Sequence, residues 1–392
     1  MQTAKELTAA NNDYIVACRH WMHEHPERSH EEKETAAFIA SELRKMGLEP
    51  KENIGGYGVT AVIEGKPGGK CVGLRADFDA LPILEKTGAS FCSKNKGVMH
   101  ACGHDTHAAM LLGAAKVLMS MRESFFGKVK LVFQPSEEDA AGSGAKRMIE
   151  DGCLDNPKVD MMFGQHVWPK VEKGYVGIRK GAVSAASDRF FIDIKGRASH
   201  AGAAPEKGVD AVVIAAQIIN ALETVVSRCV SPLDSAVLSI GILQAGSRYN
   251  IVADHGHMEG TVRTLNPEVR MMMPARMKAI VENVAAALGG EASLDYRTGF
   301  SSVWNASEAV EGSLPALEKV FTKEGVIFED TPDLSGEDFS FFGEHVPACF
   351  FHIGCREENM TAPLHAENFL PSDDILPLGT ECLVEVALNY LS

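Results

Sequence analysis

The stretch His107–Ile149, HAAMLLGAAKVLMSMRESFFGKVKLVFQPSEEDAAGSGAKRMI, reads as a helix, an apolar strand, a pair of acids and a second helix. His107 to Met119 is helical, Val129 to Phe133 is a short apolar run, and Gly144 to Ile149 is helical again. Further short apolar runs stand at Val59 to Ile63, Val72 to Leu74 and Met161 to Phe163. Strands alternating with helices predict a doubly wound, largely parallel α/β sheet. Upstream, SHEEKETAAFIASELRKMG (29–47) predicts an amphipathic helix, with Ser29 and Glu32 as a capping box, Ala36, Ile39, Leu43 and Met46 on one face, and Gly47 as the stop.

Polar residues follow these runs: Arg75, Asp77 and Asp79 after one, Glu137 and Glu138 after another, His166 after a third. In an open α/β sheet the carboxyl ends of the strands border the ligand crevice, so one crevice can gather them all. Around Ala182 the pattern changes. Phe190, Ile192 and Ile194 alternate; a helix fits Ala211 to Val226, strands fit Ala236 to Ile242 and His257 to Thr264, a helix fits Val269 to Leu288, and a strand fits Ala292 to Arg297. The order β-α-β-β-α-β is that of a ferredoxin-like α+β domain. The first pattern then resumes, with a helix near Leu314 to Phe321, a strand at Ala348 to Ile353 and a closing helix around Pro377 to Leu391. The expected organisation is a catalytic domain of residues 1–183 and 300–392 interrupted by an inserted lid or dimerisation domain, 184–299.

Composition agrees with two domains, because 392 residues exceed what one core usually organises. With 53 acidic and 38 basic side chains the net charge is -15, which repels nucleic-acid phosphates and anionic lipid surfaces. The first residues lack a basic stretch followed by an apolar run, and no run of about 18 apolar residues occurs, so neither a secretory signal nor a membrane span is expected. Nine cysteines, an odd number without a framework spacing, suit reduced thiols. A soluble, cytoplasmic protein is the expectation.

MHACGHDTHAA (99–109) places Cys102, His104 and His107 around the start of the predicted helix. Cys and His are ligands suited to zinc, manganese or nickel, although a Cys-x-His pair alone is more often structural. Adjacent acids such as Glu137 and Glu138 are ordinarily solvated; here an apolar strand delivers them into the crevice, where one can ligate a metal while its neighbour faces water. Two histidines, His166 and His365, close further apolar runs. Together Cys102, His104, Glu138, His166 and His365 offer N, S and O donors for two ions.

The strings RADFDALP (75–82), MHACGHDTHAA, FQPSEE (133–138), GQHVWP (164–169), ASHAGAAP (198–205), YNIVAD (249–254) and PLHAENF (363–369) resemble the di-metal aminoacylase, hippurate hydrolase and auxin-conjugate amidohydrolase family, in order along nearly the whole chain. The resemblance implies that Cys102, His104, Glu138, His166 and His365 bind the metals and that Glu137 is the general base. It also implies a catalytic α/β domain with an inserted lid that commonly dimerises. Arg75 before Asp77, and Cys102 in the ligand segment, depart from the glutamate carboxypeptidase and desuccinylase relatives. Asp77 is then either a residue that orients a ligand or an ordinary turn residue.

The implied reaction is hydrolysis of N-acyl-L-amino acids at two divalent ions per subunit, zinc or manganese first, cobalt or nickel as alternatives. A dipeptidase or carboxypeptidase is the competing reading, and a fold that kept metal but lost chemistry is disfavoured by the intact Glu137. His200, in ASHAGAAP, is the resemblance-based donor to the developing oxyanion, expected to act across a homodimer. Asn250 and Arg263 are candidates for holding the substrate carboxylate, although an Arg at a strand end, such as Arg263, is usually a solvated charge.

Overall fold

Apolar runs become strands and amphipathic stretches become helices in a computed structural model of the chain, which describes residues 2–139, 142–358 and 362–392. Two units result: Met1–Val183 with Val303–Pro332 and Asp338–Ser392, and Ser184–Ser302 with Asp333–Glu337. Along the chain come α1 (Ala4–Ala10), α2 (Asn12–Glu24), α3 (Lys33–Lys45), β1 (Lys51–Ile54), β2 (Gly58–Glu64) and β3 (Lys66–Asp77). Next are α4 (His104–Ser120), β4 (Phe126–Gln134), α5 (Gly144–Glu150), β5 (Met161–Glu172), β6 (Val176–Ile178) and β7 (Gly181–Ala182). The second unit supplies β8 (Ala186–Lys195), α6 (Ala211–Cys229), β9 (Ala236–Ala245), β10 (His255–Thr264), α7 (Pro267–Ala287) and β11 (Glu291–Phe300). The chain ends with β12 (Trp304–Asn305), α8 (Ser307–Phe321), β13 (Val326–Phe328), α9 (Ser340–Gly343), β14 (Ala348–Arg356) and α10 (Leu376–Tyr390).

The first unit is built on an eight-stranded sheet of order β1-β2-β4-β3-β5-β14-β6-β13. Its centre, β4-β3-β5-β14, is parallel, while the pairs β1-β2, β2-β4 and β14-β6 are antiparallel. The largely parallel α/β expectation therefore holds at the centre, where both faces are covered. From β3 the chain passes to β4 on one side and later to β5 on the other. That reversal of direction opens a crevice at the carboxyl ends of these strands.

The capping box expected at Ser29 and Glu32 does not form. Helix α3 starts at Lys33; its N-cap residue Glu32 makes no side-chain cap bond, and the Glu27 carboxylate instead accepts the N–H groups of Glu34 at 3.0 Å and Thr35 at 2.8 Å. Both expected partners are engaged elsewhere: the Ser29 hydroxyl donates to Asp79 and the Ser136 hydroxyl donates to Glu32, each at 2.7 Å. Glu27 satisfies the helix end, which leaves Ser29 and Glu32 free for buried partners. The stop is as expected, with Gly47 at φ 83°.

In the second unit, α6 and α7 cover an antiparallel sheet of order β11-β8-β10-β9. Phe190, Ile192 and Ile194 alternate into its core, where Ile214, Ile218 and Leu222 from α6 and Met273, Met277 and Val281 from α7 meet them at helical spacing. Among the described residues, α6 is one helix long and apolar enough to cross a membrane. Its buried face belongs to this core. Met273 is buried and Met271 exposed, so the Met271–Met273 run serves packing and surface.

Helix α4 is buried almost all round, packed between β3, α2 and α10. Gly113 permits that approach: a Cβ there would stand 2.7 Å from Ile15 of α2 and 3.0 Å from Thr380 of α10. Gly113→Val is expected to lower stability by about 1–3 kcal/mol, read from the urea midpoint at unchanged m-value. A loss under about 0.5 kcal/mol would mean that the three helices separate freely.

Candidate active site

Strand register brings the polar residues to one level. Asp77 on β3 pairs with Gln134 on β4, and Arg75 pairs with Gly164 on β5, which puts His166, within β5, beside Asp77 at the end of β3. Ser136, at φ 54°, then turns the chain out of β4 and delivers Glu137 and Glu138. The loop from Phe78 to Gly103 contains no helix or strand and returns at α4, whose entry carries Cys102 and His104.

Donor atoms converge there in overlapping triads: Cys102, His104 and His166; Cys102, Glu138 and His365; His104, Glu137 and Glu138, the atoms of each lying within 4.8 Å of one another. The Cys102 thiol is 3.4 Å from His166 Nε2. His166 donates through Nδ1 to the Val167 carbonyl at 2.6 Å, which leaves Nε2 as its free lone pair. His104 likewise donates through Nδ1 to the Asp79 carbonyl at 3.0 Å, and its Nε2 stands 3.9 Å from Glu137, 4.0 Å from Glu138 and 3.6 Å from Asp77. His365 Nε2 is 3.2 Å from Glu138 Oε1. The structure thus brings together all five expected ligands and Glu137.

Two observations fit this set to divalent cations. His104 Nε2 is buried and lacks a hydrogen-bond partner, an arrangement that buried polar atoms rarely tolerate. The electrostatics agree. Burial opposes charge on His104, but Asp77, Asp79 and Glu138 outweigh it and lift the ring to about 10. Burial pushes the Cys102 thiol up, and Glu138, Glu137 and Asp77 push it further. The carboxylates draw protons onto the ring and the thiol, in the place where a cation would satisfy them instead.

Around these donors lies a support that sequence reading named only in part. Arg75, fully buried, donates to Gln134 at 2.8 Å, to Asp77 at 2.8 Å and to Asp338 at 2.9 Å. Asp77 also accepts from His107 Nδ1 at 2.6 Å, and His107 Nε2 accepts the Val167 N–H at 2.9 Å. Both ring nitrogens of His107 are therefore occupied by the protein. Asp77 thus orients His107 through one oxygen, while its other oxygen lies 3.6 Å from Nε2 of the expected ligand His104. Asp79 accepts the backbone N–H of Glu137 at 3.0 Å and of Glu138 at 3.1 Å. Its place after β3 was visible in the sequence; its partners, about sixty residues on, were not.

The second unit brings His200 and Asn250 side by side. His200 bridges Ile251, and the Ala201 N–H donates to the Asn250 carbonyl at 3.1 Å. His200 Nδ1 accepts N–H groups from Gly202 at 3.2 Å and Ala203 at 3.0 Å, so the ring proton sits on the exposed Nε2. The Asn250 side-chain oxygen is buried without a partner. Arg263 lies at the other end of β10, paired with Ser187 rather than near Lys195, roughly 25 Å away at strand rise. There it lines a cleft of about 800 Å³ with Arg228, Asp234 and Leu334. One small substrate cannot touch both Asn250 and Arg263 of the same subunit.

A family model described as peptidase family M20/M25/M40 matches residues 73–389. The N-acetyl-L-cysteine deacetylase of Bacillus subtilis is 42% identical over 341 residues, covering 87% of this chain and 80% of its own. The thermostable carboxypeptidase 1 of Saccharolobus solfataricus is 37% identical over 382 residues, 96% of this chain and 95% of its own. Among solved structures, a dinuclear metal-binding peptidase of the M20 family from Bacillus subtilis superposes with a TM-score of 0.84 at 34% identity, covering 98% of this chain and 99% of that one. The family match runs from β3 into α10 and takes in every donor of the cluster, so the chain belongs to peptidase family M20/M25/M40 and is a hydrolase of amide bonds.

Proposed function

We propose that the protein hydrolyses N-acyl-L-amino acids to a carboxylic acid and a free amino acid. The observation that carries this reading is the convergence of five N, S and O donors beside the adjacent carboxylates Glu137 and Glu138 at one strand-end crevice. Cys102, His104, Glu138, His166 and His365 would hold two divalent ions, zinc or manganese by donor type. Such ions, when bound, polarise the amide carbonyl and acidify water. Glu137, 6% exposed, accepts the proton of the attacking water and returns it to the leaving amine. His200, with its proton on the exposed Nε2, donates to the carbonyl oxygen as negative charge develops. Asn250 beside it engages the amino-acid part of the substrate.

N-acyl amino acids are preferred to peptides because the deacetylase relative has the higher identity, 42% against 37% for the carboxypeptidase. A panel of N-acetyl and N-benzoyl amino acids run beside dipeptides decides between them. Faster cleavage of dipeptides would replace this reading by the carboxypeptidase one. All nine cysteines are free thiols, which supports a reducing, cytoplasmic setting, and we assign a homodimer formed through the inserted unit.

Glu137→Gln is expected to keep metal content while kcat falls about 10²- to 10⁴-fold, because the carboxamide cannot take the proton. Turnover near wild type would remove Glu137 from the role of base. Cys102→Ser is expected to weaken metal binding by at least about tenfold, since a neutral hydroxyl replaces a thiolate. Titration showing unchanged affinity for both ions would place Cys102 outside the ligand set. If His200 serves the partner subunit, mixing and exchanging Glu137→Ala with His200→Ala subunits restores roughly a quarter of wild-type activity, since half of the dimers each hold one intact site. No recovery, with subunit exchange demonstrated, would assign His200 to its own subunit.

A further inference from the structure

We propose that Ser29 and Glu32 are positioning residues for the reaction: from the turn between α2 and α3 they grip Asp79 and Ser136, and through these the peptide that carries Glu137 and Glu138. The role rests on Glu137 being the base.

The grip has two arms. In the first, the Ser29 hydroxyl donates to Asp79 Oδ2 at 2.7 Å, while Asp79 Oδ1 accepts the Glu137 N–H and Oδ2 the Glu138 N–H. In the second, the His30 N–H donates to Ser136 Oγ at 3.0 Å and the Ser136 hydroxyl donates to Glu32 Oε1 at 2.7 Å. Ser136 Oγ both accepts and donates, so its rotamer and its hydroxyl direction are fixed. Glu32, Asp79 and Ser136 are all buried. His30 at φ 68° and Ser136 at φ 54° occupy a backbone region that non-glycine residues enter only when their surroundings hold them there. These contacts span 50 and 104 residues of sequence, and they converge on the two peptide units that aim Glu137 and Glu138. Asp79 also receives His104 on its carbonyl, so the same turn steadies a ligand of the other triads.

A structural brace alone would affect unfolding; a positioning device must also move the base. Amide hydrogen exchange on the metal-free protein and kinetics on the metal-loaded enzyme separate the two, using Ser29→Ala, Glu32→Leu, Glu32→Gln, Ser136→Ala and the double variant Glu32→Leu with Ser136→Ala. Exchange at the Glu137 and Glu138 amides is expected to quicken at least about tenfold in Ser29→Ala and Glu32→Leu. In the same variants, with metal held at saturation, kcat falls about 10- to 100-fold with KM within about twofold. The double variant is no slower than the slower single one, because both members act through one hydrogen bond. Glu32→Gln, which keeps the acceptor oxygen, recovers most of the loss. Unchanged exchange in the mild variant Ser29→Ala overturns the grip, whatever happens to turnover. Faster exchange with unchanged kcat, in an enzyme that Glu137→Gln inactivates, overturns the positioning role. If Glu137→Gln is itself active, the base assignment fails, and the exchange data still decide the grip.

Discussion

The buried guanidinium of Arg75 is the interaction on which the catalytic unit depends. Its donors reach Gln134 on β4, Asp77 on its own strand, and Asp338, which also accepts the Ser143 hydroxyl and the Ala145 N–H at the start of α5. Asp77 passes the connection through His107 on α4 to the backbone of β5. A single cation thus ties together the strand ends and helix starts that border the crevice. Removing one partner of such a buried set leaves a charge unpaired, at a cost of about 3–5 kcal/mol. Burial alone would raise the Asp77 carboxyl, but Arg75 first, then His104 and His107, hold it well below the usual carboxylate range. A permanent negative charge therefore stands 3.6 Å from His104 Nε2.

That charge, with Asp79, Glu137 and Glu138, makes the crevice a place that recruits cations. The same residues that prepare it for metal also define where a base can sit. Asp79 fixes the backbone of both glutamates, so they differ by what each side chain meets: Glu138 lies 3.2 Å from His365 Nε2, Glu137 3.9 Å from His104 Nε2. Asp79 is fully able to do this because its two oxygens take separate N–H groups while its carbonyl orients His104. Hydrolysis asks for this combination of a fixed electrophilic site and a carboxylate whose proton affinity can change during the reaction.

The inserted unit has a core of its own and contributes a different kind of group. Its contact candidates, His200 and Asn250, lie on irregular backbone joined by a single bridge, where exposed donors can meet a substrate. The tautomer of His200 is set by two backbone N–H groups of its own turn, with no charged partner required. Arg263, one of the sequence candidates for the carboxylate, sits in regular strand at the far end of the sheet instead.

Much of this was legible from residue order. Period-two and helical spacing reveal which face of each segment is buried, and burial decides the element, so β8 to β11 and their two helices follow from Phe190, Ile194, Ile214 and Met277 as written. The end of β3 at Asp77 and the turn after β4 that carries Glu138 were likewise readable, because an apolar run that stops at a polar residue marks where the strand leaves the sheet; His166 lies instead within β5, which runs on to Glu172 beside β14. What the tertiary structure decided is pairing. Ser29 and Glu32 have the local spacing of a capping box and yet bind Asp79 and Ser136, because Glu27 takes the N–H groups of the helix end in their place. Arg75 and Asp338 are 263 residues apart. Sequence determines what each segment prefers to bury; only strand register and long-range hydrogen bonding determine which polar groups then have to satisfy one another, since that depends on distances that no local spacing contains.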